Sequence, residues 1–281
     1  MSSVQPLFVL QVPPSSGTTA SGNGSFVCVE PAPQVYVLSF SSPPDNRLTP
    51  AFNATFLLAL DIIEIRFSKG VVVSTSSITK FYSNGLDYEK VVKDPTFFRN
   101  SLYPLWWRLL TYPMPTIALI NGHAFAGGLM TAMMHDYRIM NPHKGFLCLN
   151  ELDFGAPLTS PMASIFRVKL PAMSTLRHMV LESRRYPALE ALKEGIIDGI
   201  GGPEETLAFI EEMKLVQKGQ SKSYGRIKEE LYREVVKDLE VSDGMAKMEA
   251  AKDLERSRRQ LDARQRVGKW EKDTGRERSK I

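Results

Sequence analysis

Three stretches of the chain hold residue types whose spacing could do chemistry. The densest is Asn121-Gly122-His123-Ala124-Phe125-Ala126-Gly127-Gly128. The run Pro115-Thr116-Ile117-Ala118-Leu119-Ile120 ahead of it is apolar and rich in β-branched residues, and it reads as a buried strand. Leu129-Met130-Thr131-Ala132-Met133-Met134 behind it is good helix-forming sequence. A strand, a glycine turn and a helix start leave main-chain N–H groups unpaired at the positive end of a helix. Such groups attract negative charge. The same glycines also fit a tight turn that binds nothing, where only glycine has room. The second stretch is another turn, Lys80-Phe81-Tyr82-Ser83-Asn84-Gly85-Leu86-Asp87. The third is Glu151, just past the apolar segment Phe146-Leu147-Cys148-Leu149. A carboxylate there can serve as a general base or as an ordinary salt-bridged group; Asp153, two residues on, is the second candidate for a base.

The elements that must position these residues can be read from the pattern. Phe26–Val29 and Val35–Phe40 look like strands of a hairpin, and Pro43-Pro44-Asp45-Asn46 breaks the chain. Thr49 caps a helix with Pro50 at its first position. Phe52, Phe56, Leu60, Ile63 and Phe67 recur at helical spacing on its buried face, and Gly70 is expected to end it. Val71–Thr75 is a strand, and residues 78–89 are expected to form a loop. A helix over about 96–111 follows, with Leu102, Leu105, Trp106 and Leu109 on one face. Trp106 and Trp107 are adjacent, so one is core and the other faces out. Asp136–Met140 and Phe146–Leu149 are further strands, and Pro157 to about Leu170 is a loop running into a helix. Residues 173–183 and 187–194 are helical, with Gly195 closing the second. Beyond Gly201-Gly202-Pro203 the chain is almost wholly helical. Strands alternating with helices, then a helical end, give an α/β core over 1–202 and a helical region over 203–281.

Composition bounds the rest. The 281 residues are 43% hydrophobic and 23% charged, as in soluble globular proteins. No apolar run is long enough for a membrane span, and no secretory signal is seen at the N-terminus. Cys28 and Cys148 give neither a disulfide framework nor a metal spacing. Residues 15–24 are rich in Ser, Gly and Thr and are expected to form a mobile loop. The net charge of +4 sits in the tail, since Lys252–Ile281 holds eleven Lys/Arg against six Asp/Glu. The interleaved signs describe a solvated, ion-paired helix, and no nucleic-acid role is expected of it.

Taken together, Pro115 to Gly128 followed by Asp136-Tyr137-Arg138-Ile139 resembles the signature of the crotonase (enoyl-CoA hydratase/isomerase) superfamily. Phe81–Asp87, Pro43–Leu48 and Ala188–Asp198 resemble three further motifs of that family, in the right order, and the likeness covers roughly residues 33–200. The resemblance implies a spiral of ββα turns with a C-terminal helical region that oligomerises, as a homotrimer or a dimer of trimers. It also implies an acyl-CoA thioester whose carbonyl oxygen sits between two backbone N–H groups, here those of Leu86 and Gly127. Donors fixed where charge develops stabilise a transition state by roughly 3–4 kcal/mol each. Ser83, Asn84, Gly85, Asp87, Phe125 and Met130 are carried over as substrate-binding positions. No metal or separate cofactor is implied, because coenzyme A is part of the substrate.

Hydratases of the family place two glutamates on opposite sides of the substrate double bond. The matching positions here are Met130 and Glu151, and a thioether cannot transfer a proton. One carboxylate suffices to remove the C2 proton of a 3-enoyl thioester and return it to C4. Asn150-Glu151-Leu152-Asp153-Phe154-Gly155 also resembles the Δ3,Δ2-enoyl-CoA isomerases, in which this glutamate is the lone base. Dienoyl isomerases carry an Asp eight residues later, where this chain has Thr159. His123 is expected to be structural or to rim the pocket, and Lys80 to be solvated. Ala126 stands where the family often has the first of three glycines. The chain ends Ser279-Lys280-Ile281, one isomeric residue away from the peroxisomal address Ser-Lys-Leu. The expectation is an enoyl-CoA isomerase of fatty-acid β-oxidation, taken into the peroxisome matrix by its import receptor. Hydratase or thioester hydrolase chemistry, or acyl-CoA binding without catalysis, are the alternatives.

Overall fold

Three times in succession the chain lays down a long strand, a short strand and helix. The computed structural model describes residues 5–14, 24–240 and 242–274. Strands β1 (Phe8–Val12), β2 (Gly24–Ala32) and β3 (Val35–Ser41) form an antiparallel meander, and helix α1 (Pro50–Arg66) returns over it. The first ββα turn is β4 (Val71–Ser76), β5 (Phe81–Ser83), α2 (Tyr88–Val91) and α3 (Tyr103–Thr111). The second is β6 (Thr116–Ile120), β7 (His123–Phe125) and α4 (Gly127–Met133). The third is β8 (Tyr137–Met140), β9 (Leu147–Cys148) and α5 (Ser160–Lys169). Helices α6 (Met173–Leu181) and α7 (Ala188–Lys193) then lead to the last strand, β10 (Gly199–Ile200). Helices α8 (Pro203–Glu212), α9 (Leu215–Gly219), α10 (Tyr224–Leu231) and α11 (Arg233–Glu240) complete a compact unit, Met1–Glu240. Sequence marks 202/203 as the place where strands give way to helices; the contacts draw their line after Glu240. Val241–Ile281 forms a separate unit, a 33-residue helix α12 (Ser242–Thr274) in which Leu254, Leu261 and Val267 are exposed.

Each turn of the spiral divides its strands between two sheets. The long strands join a seven-stranded sheet in the order β1-β2-β3-β4-β6-β8-β10, parallel from β3 onward. The short ones join a three-stranded parallel sheet, β5-β7-β9. This is the α/β crotonase-type spiral. The long parallel strands are buried on both faces and read as apolar runs. One face packs Val35, Val73, Ile117 and Ile139 against Ile210 of α8 and Leu215 of α9. Over the meander, Phe26 and Phe40 meet Phe52 and Phe56 of α1 at ring separations of 5.0–5.9 Å. Among the described residues no helix is long and apolar enough to cross a membrane.

Several elements depart from the sequence reading. The apolar start of the chain is a true strand, β1. Helix α1 stops at Arg66, before Gly70, because Phe67 is extended and its N–H returns to Ile63 O at 3.3 Å. Its cap is as read: Thr49 accepts from Phe52 N at 3.2 Å. Residues 78–89 are not all loop but contain β5 and the start of α2. The helix over 96–111 is two pieces, a π-helical turn Phe98–Leu102 and α3, with Pro104 at the junction. Trp106 is fully buried while Trp107 is 37% exposed. The stretch 15–23 and the terminal Ser279-Lys280-Ile281 lie outside the described residues.

Candidate active site

The small sheet gathers the candidate residues. Its three strands are parallel, with Ser83 beside Ala124 after a register shift in β5, and Phe125 beside Cys148. Their C-terminal ends therefore lie on one edge, and neighbouring strands sit about 4.8 Å apart, so the three exits fall within roughly 10 Å. β5 runs out into Asn84-Gly85-Leu86, β7 into Ala126-Gly127 and β9 into Leu149-Asn150-Glu151. Ligands in open parallel sheets bind at this kind of edge.

The two glycine turns abut. A Cβ placed on Gly85 would stand 3.0 Å from the Gly127 nitrogen and 2.9 Å from Phe125 O, and Gly85 has φ +76°, so both space and backbone require glycine there. Gly85 O accepts from Leu48 N–H at 2.9 Å, and Ala126 O accepts from Met130 N–H, in the first turn of α4, at 3.0 Å. In a trans peptide the carbonyl and the N–H point in opposite directions. Engaging these two carbonyls turns the Leu86 and Gly127 N–H groups the other way. Among the described residues neither N–H has an acceptor. Two unpaired donors beside one another, one at a helix N-terminus, can hold an oxygen that carries negative charge.

Glu151 is the candidate acid–base group. It is buried, and burial pushes its carboxyl up from 4.5 to about 7, with a smaller opposing pull from its own N–H. Its Oε2 has no hydrogen-bond partner among the described residues, and neither has the adjacent Asn150 Oδ1. Asp153 is exposed. Met130, at the second position matched to a family glutamate, is fully buried on α4. Past Glu151, Leu152 and Phe154 are exposed, and Phe154 meets the Tyr88 ring at 5.3 Å, edge to face. Tyr103 Oη and Thr159 Oγ1 are 2.9 Å apart.

The remaining carried-over positions mostly build the turns. Ser83 is buried, donates to Asn46 O at 2.7 Å and accepts from Gly85 N at 3.2 Å. Asn84 donates to Asp45 Oδ2 at 2.6 Å. Asp87 pairs with Lys90 at 2.9 Å at the start of α2. A cavity of about 350 Å³ opens beside this turn, lined by Leu48, Asp87, Lys90, Val91 and Phe97 among others. Phe125 packs with His123 at 4.8 Å and Phe81 at 6.3 Å on one face of the small sheet. His123 Nδ1 accepts from Phe146 N at 3.1 Å, and burial together with Lys80 and Arg185 holds its pKa down. Lys80 lies 5.4 Å over the Phe81 ring. Asp136 is more than a strand-start residue, since it forms a buried ion pair with Lys228 at 3.0 Å. Asp45, Arg47 and Leu48, read from sequence only as part of a motif, turn out to hold the first turn. Among the described residues no three His, Cys, Asp or Glu side chains form a metal-binding group.

Comparison with known proteins identifies the family. The sequence pattern of the enoyl-CoA hydratase/isomerase family matches residues 31–269, most of the chain. The chain belongs to this family. Among curated relatives it is 30% identical to the peroxisomal enoyl-CoA delta isomerase 1 of Arabidopsis thaliana over 217 residues, 74% of this chain and 90% of that protein. It is 29% identical to the peroxisomal enoyl-CoA delta isomerase 2 of the same plant, covering 72% and 90%. Among solved structures, the ligand-free enoyl-CoA isomerase of Mycobacterium tuberculosis superposes with TM-score 0.68 at 22% identity, covering 79% of this chain and 97% of that one. The enoyl-CoA hydratase EchA3 of Mycobacterium ulcerans does so equally well, so this family member shares its fold with proteins named for either activity.

Proposed function

We propose that the protein converts 3-enoyl-CoA to trans-2-enoyl-CoA by moving one proton with one carboxylate. The observation that carries this reading is the pairing of Glu151 with Met130. A buried carboxylate with a free oxygen stands at the edge where two N–H groups are unpaired, and a thioether occupies the place of a second acid. Glu151 takes the proton from C2, and the electron pair moves into the C1 carbonyl, whose oxygen becomes negative between Leu86 N–H and Gly127 N–H. The double bond shifts as the same proton is delivered to C4 and the carbonyl re-forms. A pKa of about 7 lets Glu151 exist in both states near neutral pH, which suits a group that must take and then give a proton. The printed names of the Arabidopsis relatives support the same reaction. Coenzyme A enters as part of the substrate, and the cavity beside Asp87 and Lys90 offers it room.

The test is direct. Purified protein given a 3-enoyl-CoA forms the 2-enoyl product, does not hydrate a 2-enoyl-CoA, and loses turnover by about three orders of magnitude as Glu151→Gln while still binding acyl-CoA. Consumption of the 2-enoyl-CoA with hydroxyacyl product would replace isomerase by hydratase. Unchanged turnover in Glu151→Gln would remove Glu151 as the base.

The same reading extends to location and assembly. The printed names of two peroxisomal relatives support a protein of the peroxisome matrix, working in fatty-acid β-oxidation. A fluorescent fusion of the protein that co-localises with a peroxisomal marker tests it, and one that spreads elsewhere overturns it. Ile227 and Leu231 on α10 are exposed by 64% and 63%, which supports association of the helical region into a trimer or a dimer of trimers. Light scattering on the eluting protein reads the state.

A further inference from the structure

The segment Asp45-Asn46-Arg47-Leu48 grips the turn Asn84-Gly85-Leu86 by all three of its carbonyls. Leu48 N–H holds Gly85 O. Arg47 donates through Nη1 to Leu86 O at 2.7 Å and to Asn84 O at 3.1 Å, and among the described residues nothing else donates to either oxygen. Asp45 Oδ2 accepts from Arg47 Nε at 3.0 Å and from Asn84 Nδ2 at 2.6 Å, so the guanidinium is itself braced. We propose that Arg47 is a positioning residue for the oxyanion site: it clamps the peptide units on either side of the Leu86 amide and holds that N–H on target. This rests on the reading of Leu86 N–H as a donor to the thioester oxygen.

The aim of the Leu86 N–H is set by rotation about bonds of Gly85 and Leu86, and Gly85 has no Cβ to resist that rotation. Stiffness must therefore come from partners, and among the described residues the carbonyls before and after are held by Arg47 alone. Donors in such a site are effective because they need no reorganisation as charge develops. Finally, one nitrogen bridges two carbonyls while a second, Nε, is anchored on Asp45. This demands the rigid fork of a guanidinium, and a lysine ammonium carries the charge without the fork. Arg47 does not itself touch the reacting atoms in this scheme.

Acetoacetyl-CoA tests the proposal, because its enolate puts charge on the same thioester-linked system and absorbs in the ultraviolet. In the native protein the bound ligand should ionise at lower pH than free ligand. Arg47→Ala and Arg47→Lys should each return that ionisation toward the free value by about one pH unit. On 3-enoyl-CoA both variants should lose about ten- to a hundredfold in kcat with KM changed less than about threefold, short of the roughly 10²–10³ lost when a whole donor is removed. Ethylguanidinium should restore part of kcat to Arg47→Ala and leave the native protein unaffected. Arg47→Lys, which keeps stem and charge, serves as the variant whose fold is safest, with circular dichroism as the check. A native-like ligand ionisation in both variants, or a Lys variant as active as native, would overturn the role of Arg47. No shift in the native protein would instead remove the oxyanion site, and with it anything for Arg47 to position.

Discussion

Replacing Glu151 by Gln should make the protein more stable, and more so as pH rises. The carboxyl is held near a pKa of about 7 by burial, against 4.5 for a free one. A folded-state value above the unfolded one means that the folded state binds the proton more tightly. Glu151 therefore weakens the fold as pH climbs from the unfolded value through the folded one, and its penalty is fully developed above about 7. With those two values, linkage gives a loss of about 2 kcal/mol between about pH 5.5 and about pH 8. Gln has the same shape and no charge to desolvate. Any fixed difference in amide burial is the same at both pH values and cancels. The assay is urea unfolding of native and Glu151→Gln protein at the two pH values, followed by tryptophan fluorescence. The stability difference, variant minus native, should grow by about 2 kcal/mol toward the higher pH. A difference that stays flat with pH, or moves the other way, would show that Glu151 is not a desolvated carboxylate, and the argument for it as a base poised near neutrality would fall with it.

Other outcomes follow from the same coordinates. The acid limb of kcat/KM against pH should fall off near about 7, because the base must start unprotonated, and Glu151→Asp should move the limb or flatten it. Ala126 sits at φ +49°, ψ −126°, where an L side chain is strained by roughly 1–3 kcal/mol; Ala126→Gly should raise the unfolding free energy by about 1 kcal/mol after the entropy of glycine is counted, with activity retained. A Cβ at Gly128 would stand 2.3 Å from Ser83 O, so Gly128→Ala must push α4 off β5, and turnover should collapse even where soluble folded protein survives. Lys228→Met leaves Asp136 buried without its partner and should lower stability by about 3–5 kcal/mol in a denaturant titration.

How much of this could be read from sequence depends on length and on pairing. Helix α1 announced itself, since Thr49-Pro50 fixed its start and four aromatic and aliphatic residues kept one face for three turns. Its end was misplaced because the last periodic residue, Phe67, packs against Tyr36 at 5.6 Å while no longer helical. The long strands β4 and β6 showed as apolar runs. Of the short strands, β9 lies inside the apolar run Phe146–Leu149 that reads as a strand, whereas β5 and β7, with three residues each, are too short for an alternation to register. They exist because neighbours pair with them. In the same way Gly85, Gly127 and Glu151 were legible by type, whereas Arg47 was read only as one position of the Pro43–Leu48 motif. Its place shows only once residues 45–48 and 84–86, some 39 positions apart, are laid together.

Those short strands explain why the site lies where it does. Each ββα turn winds in the same sense, so each delivers its second strand parallel to the previous one and exits at the same edge. A strand of two or three residues contributes few ladder bonds and then releases its backbone at that edge, which is where unpaired N–H groups and an unpartnered carboxylate are found. The large sheet, by contrast, packs against α1 on one part and α8–α9 on the other, and the candidate groups Leu86, Gly127, Met130 and Glu151 lie outside its strands. Stability and chemistry are thus assigned to different sheets by one winding rule. A change such as Ile117→Ala, in the fully buried β6, should lower the unfolding free energy by about 2–5 kcal/mol while kcat per folded molecule stays near native. A comparable loss of kcat from that substitution would mean that the two sheets do not divide the work in this way.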